Sequence, residues 1–379
     1  MWWIVRAALA QPPAEAPPPV EVAPPSCPDR AVPGAEWSVA AVDDPAARAL
    51  DAYVFPGTPD NEERTGIRTD GVVVVRRGQV VYERYGRGYT ATTPHLAWSV
   101  SKTFMNALAG VAVREGRLDV DASVCAYVDG LPSAACEVTV EDLLSMASGF
   151  DWHETYEGDG PTSSSVLAML YGQGQGDMAR FVAGHPLRDP PGTTWMYSSG
   201  DTNLLSAAVG AALTPVYGRD FAWAALFEPL GVTSATWERD GAGTLVGSSY
   251  LWATPRDLAR FGLLWLHDGC WGGERILPEG WVAWSTEVAP GFRSKPLGRD
   301  DGDVQGRQVW LNRAVPEVGQ VERPWPSVPE DAYAARGHWK QSITVIPSLD
   351  LVVVRVADDR DETFDFDRFL GLAAAVGAP

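Results

Sequence analysis

The run Leu96-Ala-Trp-Ser-Val-Ser-Lys-Thr-Phe104 constrains this chain more than any other stretch. It opens a long helical pattern from Thr103 to Gly116, in which Leu108, Val111, Ala112 and then Leu118 recur near helical spacing and Gly116 supplies a stop. Ser99 and Lys102 are three residues apart. At a helix start that spacing puts both side chains on one face, close enough for the amine to take the hydroxyl proton. A serine hydroxyl is a weak nucleophile alone, and the free N–H groups of a helix start can also receive a developing oxyanion. The plainer alternative is that Ser99 caps the helix and Lys102 is a solvated first-turn residue. Against it, a lysine there opposes the helix dipole, where Glu or Asp is the usual choice. With three lysines, Lys102, Lys295 and Lys340, among many serines, chance alone can set a serine three residues before a lysine, so the pairing takes its weight from its context.

A chain of 379 residues can bury a large core and form two lobes. Its hydrophobic content of 45% and 16 tryptophans point to a globular protein with aromatic-lined surfaces. A formal net charge of −19 argues against a nucleic-acid or anionic-membrane partner, because phosphate binding needs clustered cations. No apolar run reaches the ~18 residues of a membrane span. The opening Met1-Trp-Trp-Ile-Val-Arg-Ala-Ala-Leu-Ala10 resembles the end of a secretion signal, with Ala8-Leu9-Ala10 as the small-x-small cleavage form, although it is short and lacks a basic start. Gln11 to Gly34 is rich in proline and is expected to be an extended tether, so residues 1–34 are set apart from a folded domain over 35–379. Of the four cysteines, Cys125 and Cys136 enclose a short loop and could bridge, which suits a periplasmic or secreted location; two buried thiols are the alternative. Cys27 follows Pro24-Pro-Ser26, a poor context for lipid attachment. Neither Cys-x-x-Cys nor His-x-x-x-His spacing occurs, and neither a metal nor a cofactor is expected.

Along the chain, residues 43–55 suit a short helix with Pro45 in its first turn. Gly71–Val75 and Val80–Tyr85 form a hairpin turning at Arg76–Gln79. The pattern from about 117 to 230 is mostly helical. Thr139 and Asp142 are spaced as a capping box, and 163–171, 177–183 and 202–213 look helical. Residues 255–268 form an amphipathic helix opened by Pro255. The stretch 296–331 is loop with one short strand at 308–311. Gln341–Val356 is a second hairpin turning at Pro347–Asp350, and a last helix covers roughly 364–376. Strands at both ends with helices between predict an α+β fold: an antiparallel sheet flanked by helices, with a body at about 60–105 and 240–379 and an inserted helical lobe at about 106–239.

Pro191-Gly-Thr-Thr-Trp-Met-Tyr-Ser-Ser199 is a turn running into a helix, and Tyr197 there can point its hydroxyl across a cleft. An adjacent cation would lower its pKa toward the range useful to a proton shuttle; a buried tyrosine with a satisfied hydroxyl is the alternative. Four stretches then carry a resemblance to the serine β-lactamase-related hydrolases, which include class C β-lactamases, DD-peptidases, carboxylesterases and 6-aminohexanoate-dimer hydrolases. They are Trp98–Phe104, Val140–Phe150, Pro191–Ser199, and Gly337–Gln341 with Val345–Val352; Thr254–Gly262 also matches. The likeness covers about residues 60–375 in order. The Tyr-x-Ser form at 197–199 is closer to the 6-aminohexanoate-dimer hydrolase branch than to the Tyr-x-Asn of class C enzymes.

The resemblance implies a β-lactamase/penicillin-binding-protein-like fold with Ser99 as nucleophile, Lys102 as neighbouring base and Tyr197 as proton relay. The family's third motif, on an inner strand, falls on His338-Trp339-Lys340, where Lys340 stands in place of the usual glycine. A lysine there would push the strand outward, narrow the pocket or bring a second cation near Lys102. The oxyanion hole would use the N–H groups of Ser99 and Gln341, and His338 is a substrate contact or else a structural histidine. The implied activity is hydrolysis of a small-molecule ester or amide through an acyl-enzyme on Ser99; without Lys-Thr-Gly, a β-lactamase or DD-peptidase is the alternative. No Gly-x-Ser-x-Gly elbow of an α/β-hydrolase occurs. From other classes, an inactive envelope binding protein or a scaffold recruiting through the Pro-rich arm would also fit. Pocket shape is expected to depend on the loops 151–176 and 296–333, with Trp152, Trp310, Trp325 and Trp339 as candidate lining.

Overall fold

The computed structural model describes residues 27–378, except 29, 35, 40–43, 58, 60, 157–163 and 298–302. The signal-like start and the first part of the tether lie outside the described residues. A six-stranded antiparallel sheet forms the body, in the spatial order Trp310–Leu311, Tyr333–Gly337, Gln341–Ile346, Leu351–Ala357, Thr69–Arg76, Gln79–Tyr85. Both predicted hairpins are present, and the two ends of the chain meet where Val73 pairs with Val354 in the sheet interior.

The strand Thr69–Arg76 is buried along its whole length, which explains its unbroken valine run: both faces are covered. Val72 and Val74 face an outer layer made by the helices Pro45–Val54 and Phe366–Ala375. Val73 and Val75 face the inner core, which continues without a break into the helical lobe. On that inner face the helix Pro255–Leu266 lies across the sheet, with Phe261 stacked on Phe104 at 3.6 Å between ring centroids. Phe104 belongs to the helix Ser101–Arg114, every residue of which from Ser101 to Ala112 is buried. That helix runs between the sheet and the lobe helix Ser199–Tyr217, so it belongs to neither layer alone.

Local signals mark the lobe's helix starts. Thr139 and Asp142 make the reciprocal capping box, and Ser198 caps Ser199–Tyr217 by accepting from the Asp201 N–H. Each such cap contributes about 1 kcal/mol. The lobe helix therefore begins three residues earlier than its apolar pattern predicts, at Ser199 rather than Thr202.

Disulfides join Cys125 to Cys136, as the short loop predicts, and Cys27 to Cys270, which the sequence reading does not foresee. The second bridge corrects the tether boundary. Arg260 donates to the carbonyls of Pro33 and Gly34 and lies over the Trp37 ring, so the chain is fixed to the body from Cys27 and not from residue 35. Among the described residues no helix is long and apolar enough to cross a membrane.

Candidate active site

The site is built where the sheet, the buried helix and the lobe converge. His95–Leu96 pairs with Leu251–Ala253, and Ala97 N–H donates to the Leu251 carbonyl at 2.8 Å. The chain then turns through Trp98 at φ +50° into a single 3-10 turn, Trp98–Val100, that leads directly into the buried helix. Ser101 Oγ donates to the Trp98 carbonyl at 2.6 Å and fixes that turn. Ser99 is thus on the turn with its hydroxyl in a cavity, and neither it nor Val100 provides a side-chain cap for the helix. The alternative of a capping serine beside a solvated lysine fails at both residues, since Lys102 is only 2% exposed.

Lys102 Nζ contacts three neutral oxygens: Ser99 Oγ at 3.0 Å, Ser199 Oγ at 3.0 Å and the Ser248 carbonyl at 3.1 Å. Burial lowers its pKa to about 8, with the Glu154 carboxylate pulling in the opposite direction. Tyr197 is hydrogen-bonded to Ser99, its ring centroid is 4.9 Å from Lys102 Nζ, and its other face stacks on Trp310. The expectation that a nearby cation would lower the Tyr197 pKa is corrected here. Burial first, then the Glu154 carboxylate, raise it above the usual phenol range, so the hydroxyl stays protonated at neutral pH.

Opposite lies the turn His338-Trp339-Lys340. It connects the strands Tyr333–Gly337 and Gln341–Ile346 and is not itself part of an inner strand. Trp339 and Lys340 have φ of +57° and +67°, the paired left-handed geometry of a tight hairpin turn that glycine usually supplies. Lys340 pairs with Glu362 at 2.8 Å on the cavity rim, and its charge does not bear on Lys102, so the second cation expected beside the base is not seen. The glycine that permits close approach is Gly337. A Cβ there would stand 2.4 Å from the Ala97 carbonyl oxygen and 3.2 Å from Ser99 N. Gln341 is buried and lies outside the cavity lining; its side-chain amide donates to the His338, Trp339 and Ala357 carbonyls and accepts from Ala357 N–H, buckling the turn to the next strand.

The resulting cavity of about 810 Å³ is lined by Trp152, Tyr156, Trp310 and Trp339 among its aromatic residues, with Ser99 inside it. Trp325 is not among them; it is packed in the outer core. His338 lies between Tyr156, stacked at 5.3 Å, and the edge of Trp98. Two contributors, Glu154 and the segment 359–362, escape sequence reasoning, and a third, Ser199, is legible there only as the end of the Tyr-x-Ser form. Glu154 lies on the lobe side and accepts from Trp152 Nε1, Tyr156 OH, Ser199 N–H and Ser199 Oγ. Ser199 joins it to Lys102, and the segment 359–362 adds a rim. The Trp-x-Glu-x-Tyr pattern at 152–156 is the one available signal for Glu154. No group of residues suited to holding a metal ion occurs among the described residues.

Residues 46–376 match the model of the Beta-lactamase family. The 6-aminohexanoate-dimer hydrolase of Paenarthrobacter ureafaciens is 28% identical over 314 residues, covering 79% of this chain and 75% of that protein. Among solved structures, EstCE1, described as a hydrolase with promiscuous acyltransferase activity, has a TM-score of 0.64 at 16% identity, covering 87% of this chain and 99% of that one. The penicillin binding protein from Bacillus halodurans has a TM-score of 0.58 at 15% identity, covering 82% and 96%. With a family match over nearly its whole folded length and this architecture around Ser99, the chain belongs to the beta-lactamase family and is a serine hydrolase.

Proposed function

We propose that the protein hydrolyses a small-molecule ester or amide through an acyl-enzyme on Ser99. The observation that carries this reading is the Lys102 amine, buried and 3.0 Å from Ser99 Oγ with a pKa lowered to about 8. At neutral pH roughly a tenth of such an amine is uncharged and able to act as a base. Ser99 Oγ attacks the substrate carbonyl carbon as its proton passes to Lys102 Nζ. The carbonyl oxygen becomes an oxyanion held by Ser99 N–H, against which Gly337 is packed, and by a second backbone N–H from the 337–341 turn, with Gln341 as the donor the resemblance implies. The tetrahedral adduct collapses, and the leaving alcohol or amine takes a proton through the Tyr197 hydroxyl. Water then adds to the acyl carbon, giving its proton back through the same groups, and Ser99 is freed with release of the acid.

Lys340 is on the cavity rim with its amine paired to Glu362, so its charge is already engaged, which favours an ester or linear amide over a β-lactam whose carboxylate needs such a grip. The 6-aminohexanoate-dimer hydrolase relative supports including linear amides. Two disulfides support an extracytoplasmic location, periplasmic or secreted. The test is labelling with a fluorophosphonate, followed by turnover of p-nitrophenyl esters, 6-aminohexanoate dimer and nitrocefin by wild type and Ser99→Ala. Stoichiometric labelling lost in the variant is expected, with ester or amide turnover above nitrocefin. Folded wild-type protein that takes no label overturns the mechanism, and nitrocefin turnover matching the esters reverses the substrate preference.

A further inference from the structure

We propose that Glu154, acting through the Ser199 hydroxyl, is the positioning residue that turns the Lys102 lone pair toward Ser99. The inference rests on the reading of Lys102 as the base and concerns what orients it. An uncharged amine has two hydrogens and one lone pair, and Lys102 Nζ has three oxygen neighbours. The Ser248 carbonyl can only accept, so it takes one hydrogen. The other two neighbours are hydroxyls, each able to donate or accept, and a base needs the lone pair to meet Ser99.

Glu154 settles the choice. Its Oε1 lies 2.5 Å from Ser199 Oγ, and a carboxylate only accepts, so the single Ser199 hydrogen is committed to Glu154. Ser199 then offers Nζ only lone pairs and takes the second amine hydrogen. The remaining lone pair faces Ser99. Without the carboxylate, Ser199 could donate to Nζ and occupy the electron pair the reaction needs. Glu154 is held in place at both oxygens: Oε2 accepts from Trp152 Nε1 at 2.6 Å and Ser199 N–H at 2.9 Å, which can only donate, and Oε1 meets the hydroxyls of Tyr156 at 2.7 Å and Ser199. An amide placed there would keep its oxygen under the Trp152 and Ser199 N–H groups and turn its NH2 toward the Tyr156 and Ser199 hydroxyls, freeing the Ser199 hydrogen to donate to Nζ.

The same arrangement serves the charged state. After proton transfer the ammonium has three hydrogens for its three oxygens, and the Glu154 charge favours it. From the lobe loop, Glu154 and Tyr156 face this group; from the start of the lobe helix, Tyr197 and Ser199 do. Across the cavity Arg336 and Asp303 pair with each other at 2.8 Å and act on Tyr197 rather than on the amine.

The test is the single-turnover burst of p-nitrophenol from p-nitrophenyl butyrate, with enzyme in excess, between pH 5 and 10. Wild type, Glu154→Gln, Ser199→Ala, Ser199→Thr and Lys102→Ala are compared, each checked for folding by circular dichroism. Loss of a nearby carboxylate lowers the proton affinity of the amine, so Glu154→Gln should move the midpoint of the rising limb down by about one pH unit and lower the plateau about tenfold or more. Ser199→Ala should do the same in part, and Ser199→Thr, which keeps the hydroxyl, should restore both. A Glu154→Gln profile that falls by one factor at every pH with its midpoint in place reports a merely structural role and overturns the proposal, as does an unchanged profile. If Glu154→Gln does not fold, the Ser199 pair decides: Ala and Thr variants with equal profiles overturn it. Failure of the base itself looks different, since Lys102→Ala would then keep the wild-type limb.

Discussion

The two walls of the cavity are made in different ways. The wall that carries Ser99 and Lys102 is one continuous segment, a 3-10 turn running into a helix buried on all sides, and its geometry follows from residues three apart. The facing wall is gathered from distant parts of the chain: Glu154 from a lobe loop, Tyr197 and Ser199 from a helix start, and the 338–340 turn from the sheet. The first wall supplies the reacting groups. The second decides their protonation and orientation, because burial of Lys102 and the charge of Glu154 act in opposite directions on the same amine.

Substitutions on the two walls should therefore have different signatures, and the largest effect belongs to the first. Lys102→Ala is expected to slow acylation about a thousandfold while leaving the fold intact, since a general base contributes about 10²–10⁴; fluorophosphonate labelling rates measure this, and a loss under tenfold would remove the amine from the chemistry. Next comes Gly337→Ala, at the contact between the walls. A methyl group 2.4 Å from the Ala97 carbonyl forces the sheet away from the nucleophile turn, with a stability loss of about 1–3 kcal/mol and a drop in kcat/KM of about a hundredfold. An unaltered melting temperature and rate would show that the turn and the strand are not rigidly coupled.

A pH effect is expected deeper in the facing wall. Asp201 is buried under Ser148 and Ser198, and burial raises its pKa to about 7. An unfolded carboxyl ionises near pH 4, so between about pH 4 and 7 the folded state holds the extra proton and stability falls as pH rises. Asp201→Asn should remove that slope; melting temperatures at pH 5 and pH 8 that differ as much as in wild type would contradict it. Smallest is Lys340→Gly. With its side chain paired to an exposed Glu362 and its backbone at φ +67°, this change should leave kcat/KM within about threefold and stability within about 1 kcal/mol. A large loss of activity would show that Lys340 contacts substrate from its place on the cavity rim.

The same division governs what could be read from the sequence. The Ser99–Lys102 pair, the Thr139 capping box, both hairpins and the Cys125–Cys136 bridge are all local, decided within a turn or a short loop, and all are present in the structure. Tyr197 is legible as a residue across the cleft from the serine, but the direction of its pKa is not, because that depends on burial and on a carboxylate 43 positions away in the chain. The third motif was legible as a location and misread in geometry. Matching Lys340 to a glycine hid that Gly337 is the residue pressed against the nucleophile turn. The Trp-x-Glu-x-Tyr pattern marks Glu154 without giving its role, which lies in Ser199 and Lys102, and only the fold brings these to it.

The Cys27–Cys270 bridge extends beyond the architecture into how the protein must be made. It fastens the leading strap of the chain to a hairpin 243 positions downstream, so this closure forms only after most of the polypeptide has emerged. Recombinant material produced in a reducing host cytosol would leave that strap unfastened while the pocket, whose residues lie elsewhere, still assembles. Activity alone would then be a poor guide to whether a preparation is natively closed, and thiol titration of the purified protein is the appropriate check.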